Sequence, residues 1–162
     1  MKSEAEARRA VELYADTVRR ICFLHLKNHS DAEDVFQETF LKYVLRAAPF
    51  ESGEHEKAWL IRVAVNACKD VYKNFFRRKV LSLEALDSEP SYNMPDSGRA
   101  VLDAVLALPE KYRNVVYLFY YEGYSAVEIA SLLGKNENTV YTWLSRAKAK
   151  LKDALGGDFA DE

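Results

Sequence analysis

The sequence predicts an all-α protein of two small helical domains joined by a flexible linker, the second carrying a helix-turn-helix. Three observations predict it. Apolar residues recur at spacings of three and four along most of the chain, the period of an amphipathic helix. Only four prolines and six glycines interrupt the 162 residues, so long helices meet few breakers. Between residues 81 and 98 the period disappears, and Ser88, Pro90, Ser91, Asn93, Pro95, Ser97 and Gly98 collect in the composition of a linker.

The first helix is expected from Glu4 to Lys27, with Val11, Tyr14, Val18 and Ile21 on one face and Leu24 close to it. Asn28 to Asp31 breaks it, and Asp31 is the expected N-cap of the second helix, with Glu33 and Asp34 favoured by the dipole of its first turn. That helix carries Val35, Phe36, Phe40 and Val44 and ends near Ala47. Pro49 to Glu54, containing Ser52-Gly53, reads as a loop. A third helix starts near Glu56, carries Trp59, Leu60, Val63, Ala67 and Val71, and runs to the basic cluster Arg77, Arg78 and Lys79, with Trp59 assigned to the core. Three apolar stripes need one another to be buried, which makes residues 1–80 a domain.

After the linker, a helix begins at Ala100-Val101-Leu102 and ends at Leu108-Pro109; the next runs from Arg113 to Glu122 and stops at Gly123. Ser125, with Glu128 three residues on, is a capping box opening a helix that ends at Gly134. Asn136 caps the last helix, which reaches about Leu155. The second domain is then residues 99–156, followed by an acidic tail at 157–162. In this helix-turn-helix, Ile129, Ala130 and Leu133 are expected to pack on Val140, Leu144, Ala147 and Leu151. Thr142, Ser145, Arg146 and Ala149 fall on the opposite face, with Tyr141, Lys148 and Lys152 on one flank and Lys150 on the other. Arg bonds guanine bidentately, and Ser or Thr serves bases or phosphates, so this face suits a DNA major groove.

The net charge of −2 conceals a pattern along the chain. Residues 1–80 hold 15 basic against 12 acidic side chains, and residues 99–156 hold 8 against 6. The linker carries −4 and the tail −3, so acidic segments separate and follow two mildly basic blocks. The chain contains no GxxxxGK, HExxH or GxSxG motif, and it gives no basis for an enzyme or a cofactor. Cys22 and Cys68 form no CxxC pair and read as buried reduced thiols. Cys22, His25 and His29 have the spacing of one helical face, but no fourth ligand is nearby and no metal site is expected. No stretch approaches the 18 or so apolar residues of a membrane span, and the first residues lack a signal-peptide core, so a cytoplasmic location without membrane insertion is expected.

Two blocks together resemble the extracytoplasmic-function sigma factors of the sigma-70 family. DAEDVFQETFLKYV followed by WLIRVAVNACKDVYKNFFRRK is similar to family regions 2.2 to 2.4. LPEKYRNVVYLFYYEGYSAVEIASLLGKNENTVYTWLSRAKAKL is similar to regions 4.1 and 4.2. The resemblance implies a promoter-specificity subunit whose partners are the RNA polymerase core (β′ clamp and β flap), promoter DNA and an anti-sigma factor. It implies that Asp34, Gln37 and Glu38 dock on the β′ clamp. It also implies that the third helix meets the −10 element through the stripe Arg62, Asn66, Lys69 and Lys73, with Arg77 and Arg78 on phosphates. The Pro49–Glu54 loop with Phe50 sits where the family holds a flipped −10 base; stacking on that base and simple burial remain equal readings for Phe50. The −35 element is implied for Tyr141, Thr142, Ser145, Arg146 and Lys148. The family's recognition helix commonly reads like TVKSRLSRAR but here reads TVYTWLSRAK, so Tyr141 and Trp143 stand where bases are usual and contact either DNA or protein. The linker matches the segment that family members thread through the RNA exit path, and equally suits an inert tether. An autonomous helix-turn-helix regulator and a sigma-like mimic that sequesters an anti-sigma factor are the alternative readings.

Overall fold

The computed structural model describes residues 1–79 and 96–156. Among them are seven α-helices and one π-helical turn. The chain divides into two compact units, Met1–Pro90 and Ser91–Glu162. No helix among the described residues is long and apolar enough to cross a membrane.

The first unit contains α1 (Glu4–Leu26), α2 (His29–Leu45) and α3 (Gly53–Lys79), each packed on the other two. Ser3 caps α1 by accepting from Glu6 N–H, and Lys27 ends it in the left-handed region at φ 57°. That break leaves Cys22 and His25 on α1 and moves His29 to α2, so the three do not share one helix face as their spacing had implied. No cluster of three or more His, Cys, Asp or Glu among the described residues is placed to hold a metal ion. Tyr14, Val18 and Ile21 are buried as expected, whereas Val11 is exposed and Ala10 and Thr17 take the inner face.

The expected cap at Asp31 is corrected to Asn28, whose side-chain oxygen accepts from Asp31 N–H at 2.8 Å. Asn28, just after left-handed Lys27, satisfies an orphan donor at the helix start and moves the cap three residues earlier, which lengthens α2. α3 likewise starts at Gly53 rather than Glu56. Ser52 Oγ accepts from His55 N–H while His55 Nδ1 accepts from Glu51 N–H, a reciprocal clamp resembling a capping box with imidazole in place of carboxylate.

The second unit contains α4 (Asp96–Leu106), α5 (Glu110–Val116), a π-helical turn (Tyr117–Tyr121), α6 (Ala126–Leu133) and α7 (Glu137–Leu155). α4 takes residues 96–98, which composition had put in the linker; Asp96 suits a helix N-terminus. The remaining linker residues up to 95 and the acidic tail lie outside the described residues. The single helix expected from Arg113 to Glu122 instead loosens into the π turn, where Glu122 N–H bonds Tyr117 O five residues back. Tyr117 and Tyr121 stack there at 5.2 Å, and Tyr117 Oη donates to Glu122 at 2.7 Å. α4, α5 and α6 pack on α7, which is therefore held on several sides.

Candidate nucleic-acid interface

The helix-turn-helix is fixed by local chemistry at each end. Ser125 and Glu128 form the reciprocal capping box that opens α6, and the Ser125 backbone N–H, then its hydroxyl, holds the Glu128 carboxyl below its usual range. Gly134 closes α6 at φ 64°, a backbone conformation that favours glycine, and Asn136 caps α7. Ile129 and Ala130 are buried with Val140, Ala147 and Leu151; Leu132 is buried while the expected Leu133 is half-buried, as is Leu144. Thr142, Ser145, Arg146 and Ala149 are exposed on the far side, with Tyr141 54% exposed and Lys148 half-buried on the flank.

Trp143 behaves differently from Tyr141. It packs against the buried cluster of Leu108, Tyr112, Val116, Ala147 and Leu151, joined there by Ala104, Val105 and Tyr120. Lys135 Nζ lies 6.0 Å from the centre of its ring. The indole thus anchors α7 to α4 and α5 and sets the roll of the helix. Only Tyr141 of the two unusual aromatics is presented outward.

In the first unit, Arg62, Asn66 and Lys73 are exposed and Lys69 is half-buried on one face of α3, opposite buried Leu60, Ala64 and Cys68. Arg77 and Arg78 lie in the last turn of α3, and their side chains are outside the description. Trp59 is half-buried rather than core. Its ring lies 5.6 Å from Phe50 and 6.4 Å from Tyr43, at the margin of the polar stripe, because the Phe50 loop folds back over this first part of α3. Phe50 is neither free nor deeply buried: it stacks on Tyr43 at 5.9 Å and 8°, and meets His55 edge-on at 5.3 Å.

Further residues complete this cluster, and the sequence did not mark them as part of the site. Glu56 is only 6% exposed; its carboxylate accepts from Tyr43 Oη at 2.8 Å and pairs with Arg9 at 3.3 Å. Burial, then the hydrogen bond and charge of Glu56, push the Tyr43 phenol well above its usual range. Tyr14, which donates to Gly53 O at 3.3 Å, is raised by burial, then by the charge of Glu56. These bonds tie α1, α2 and the start of α3 beneath the loop. Arg46 lies with its guanidinium over Phe50 at 4.5 Å and Trp59 at 5.2 Å, and Lys2 Nζ lies 5.0 Å and 5.1 Å from the Tyr43 and Phe50 rings.

On α2, Asp34, Gln37 and Glu38 are exposed, and Glu38 pairs with Lys42 at 3.1 Å. Leu41 and Leu45 continue that stripe at 58% and 60% exposure, directly opposite buried Phe36, Thr39 and Tyr43. Two large apolar side chains left in water beside an acidic patch are an unusual surface for a helix with a good inner face.

Comparison with known proteins places this geometry. The family model for sigma-70 region 2 matches residues 10–79, and that for sigma-70, region 4 matches residues 98–151. The extracytoplasmic-function RNA polymerase sigma factor SigM of Mycobacterium tuberculosis is 30% identical over 142 residues, 86% of this chain and 71% of SigM. The chain belongs to the extracytoplasmic-function sigma factors. BldN of Streptomyces coelicolor, another sigma factor of that type, is 34% identical over 159 residues. The match takes in 93% of this chain but only 60% of BldN, so this sigma factor spans less than two thirds of that relative's length. Among solved structures, the sigma factor RpoE of Bartonella quintana, in complex with the anti-sigma factor NepR, matches with a TM-score of 0.79 at 23% identity. The match covers 94% of this sigma factor and 98% of that chain, a likeness of fold.

Proposed function

We propose that this chain is a promoter-specificity subunit of bacterial RNA polymerase, which binds −10 and −35 elements and helps open the −10 segment. Membership of the sigma factor family through both of its blocks carries this reading. Residues 1–80 serve the core enzyme and the −10 element, the second block, which α4 extends back to Asp96, serves the −35 element, and the residues from 81 up to α4 are the tether between them. Asp34, Gln37 and Glu38 dock on the β′ clamp, and exposed Leu41 and Leu45 add apolar area to the same stripe. The second unit approaches the β flap, and an anti-sigma factor controls access to these surfaces.

On the DNA, Arg62, Lys69, Lys73, Arg77 and Arg78 neutralise phosphates, and Asn66 hydrogen-bonds a −10 base. Phe50 borders the place of a flipped base; its own stacking on Tyr43 favours a rigid wall over a free stacking platform. Thr142, Ser145 and Arg146 read the −35 major groove, with Tyr141 and Lys148 beside them. Phosphodiester chemistry belongs to the polymerase, and this subunit supplies binding energy and strand separation.

Run-off transcription with core polymerase on a genomic promoter library tests the reading. Discrete start sites that depend on this protein are expected, and their alignment gives its −10 and −35 preferences. Absence of core binding refutes it and favours a sigma-like mimic or an autonomous regulator.

A further inference from the structure

Arg46 and Phe50 lie together at the end of α2, where the chain turns towards α3. Arg46 is the C-cap of α2, and its backbone N–H bonds Lys42 O and Tyr43 O, so the root of its side chain is fixed. The guanidinium covers two rings, Phe50 and Trp59, and Nε donates to Ala48 O at 3.2 Å. A guanidinium has five N–H donors in one plane, and attraction between its charge and the face of an aromatic ring uses none of them as a conventional hydrogen bond. The bond to Ala48 uses one, and no carboxylate among the described residues pairs with Arg46. Lys2 brings a second cation to the same rings, held by a 2.9 Å bond from Nζ to Arg46 O. The buried carboxylate beneath Tyr43, that of Glu56, is engaged by Tyr43 and Arg9. Two cations thus share one aromatic cluster without a counter-ion of its own, at the margin of the Arg62 and Asn66 stripe.

We infer that Arg46 is a phosphate-binding residue for the single strand drawn past Phe50, its guanidinium held against the rings of Phe50 and Trp59 so that its outer edge takes one backbone phosphate bidentately. The inference rests on the promoter-opening reading above and adds to it a contact that the polar stripe of α3 does not supply. Preorganisation by the two rings lowers the entropy lost on binding, which a lysine on a flexible stem cannot match. Its ligand chemistry is a phosphodiester of single-stranded DNA, independent of base identity.

The test uses holoenzyme assembled from core polymerase and the full chain. The probe is a fluorescein-labelled non-template oligonucleotide spanning the −10 segment of a start site mapped by run-off transcription, titrated at several salt concentrations. Each phosphate contact to a single strand contributes about 0.7 to the slope of log affinity against log salt. Arg46→Gln is expected to lower that slope by about 0.7, equivalent to a loss about 2.6-fold smaller over a fourfold rise in salt. Arg46→Lys, which keeps the charge, is expected to retain the slope with weaker binding. Phe50→Ala is expected to weaken binding at every salt with the slope unchanged. An unchanged slope in Arg46→Gln alongside weakened Phe50→Ala overturns the phosphate assignment and leaves the promoter-opening reading intact. A slope lowered equally by Arg46→Gln and Arg46→Lys marks a structural clip and also overturns it. Wild-type binding by Phe50→Ala, with the slope lowered only in Arg46→Gln, removes the loop reading and keeps the phosphate site. Absence of wild-type binding removes both.

Discussion

Replacing Tyr43 by Phe isolates the buried bond that ties α2 to the start of α3 beneath the Phe50 loop. The ring stays, so packing on Phe50, Phe40 and Trp59 is preserved, and only the hydroxyl is lost. That hydroxyl donates to a Glu56 oxygen at 2.8 Å, with Tyr43 1% and Glu56 6% exposed, so little water replaces it. A hydrogen bond to a charged group contributes about 1.5–3 kcal/mol, and about 2 kcal/mol is expected here. Arg9 pairs with the other carboxylate oxygen at 3.3 Å, but its side chain is 57% exposed, so Arg9→Gln is expected to cost under about 1 kcal/mol. The assay is urea unfolding followed by Trp59 fluorescence in a Trp143→Phe background, which leaves a single tryptophan in the chain. With a slope of about 1 kcal/mol/M, Tyr43→Phe moves the midpoint down by about 2 M at unchanged slope. A larger effect from Arg9→Gln than from Tyr43→Phe refutes the reasoning, because it means that charge pairing and not the buried hydrogen bond secures Glu56.

The same bonds make a pH prediction. Tyr43 and Tyr14 have raised phenol values in the folded unit, so above the ordinary value of 10.0 the unfolded chain binds fewer protons than the folded one. Their contribution is present below that pH and is lost as pH rises through the folded values; unfolding midpoints measured from pH 9 upward fall, and less steeply in Tyr43→Phe. In the second unit, Trp143→Ala is expected to cost about 2 kcal/mol, less than for a fully buried aromatic, in circular-dichroism melts. Tyr141→Ala, which is exposed, stays within about 0.5 kcal/mol and changes DNA binding instead. Arg146→Ala is expected to cost about 1–3 kcal/mol in −35-dependent transcription, measured as promoter response against core binding. Asn66→Ala is expected to impair −10 opening, read by permanganate footprinting, more than core binding; a defect confined to core binding contradicts that role.

The helix-turn-helix was legible in the sequence almost to the residue, because its signals are local: Ser125 with Glu128, Gly134 and Asn136 act on backbone groups within a turn of themselves. The outward placement of Thr142, Ser145 and Arg146 followed from helical period and an inner stripe of Val140, Ala147 and Leu151. The π turn escaped that reading, since a run of apolar and aromatic residues fits either helix type and its one extra residue per turn is decided by packing. The starts of α2 and α3 shifted by three residues because Asn28 and Ser52 each accept from a backbone N–H three residues on, a capping role that several polar side chains in a row could have taken.

The sequence by itself determined the helical class, the two blocks and the outward faces of α3 and α7, since period, breakers and caps are properties of neighbouring residues. Only tertiary structure decided that Glu56 is a buried anchor, that Trp143 turns inward while Tyr141 turns outward, and that Arg46 and Lys2 gather on Phe50. Those outcomes depend on contacts between residues up to 48 positions apart, such as Lys2 with Phe50, which no local period encodes. A carboxylate, an indole or a guanidinium takes its role from the groups that folding brings against it.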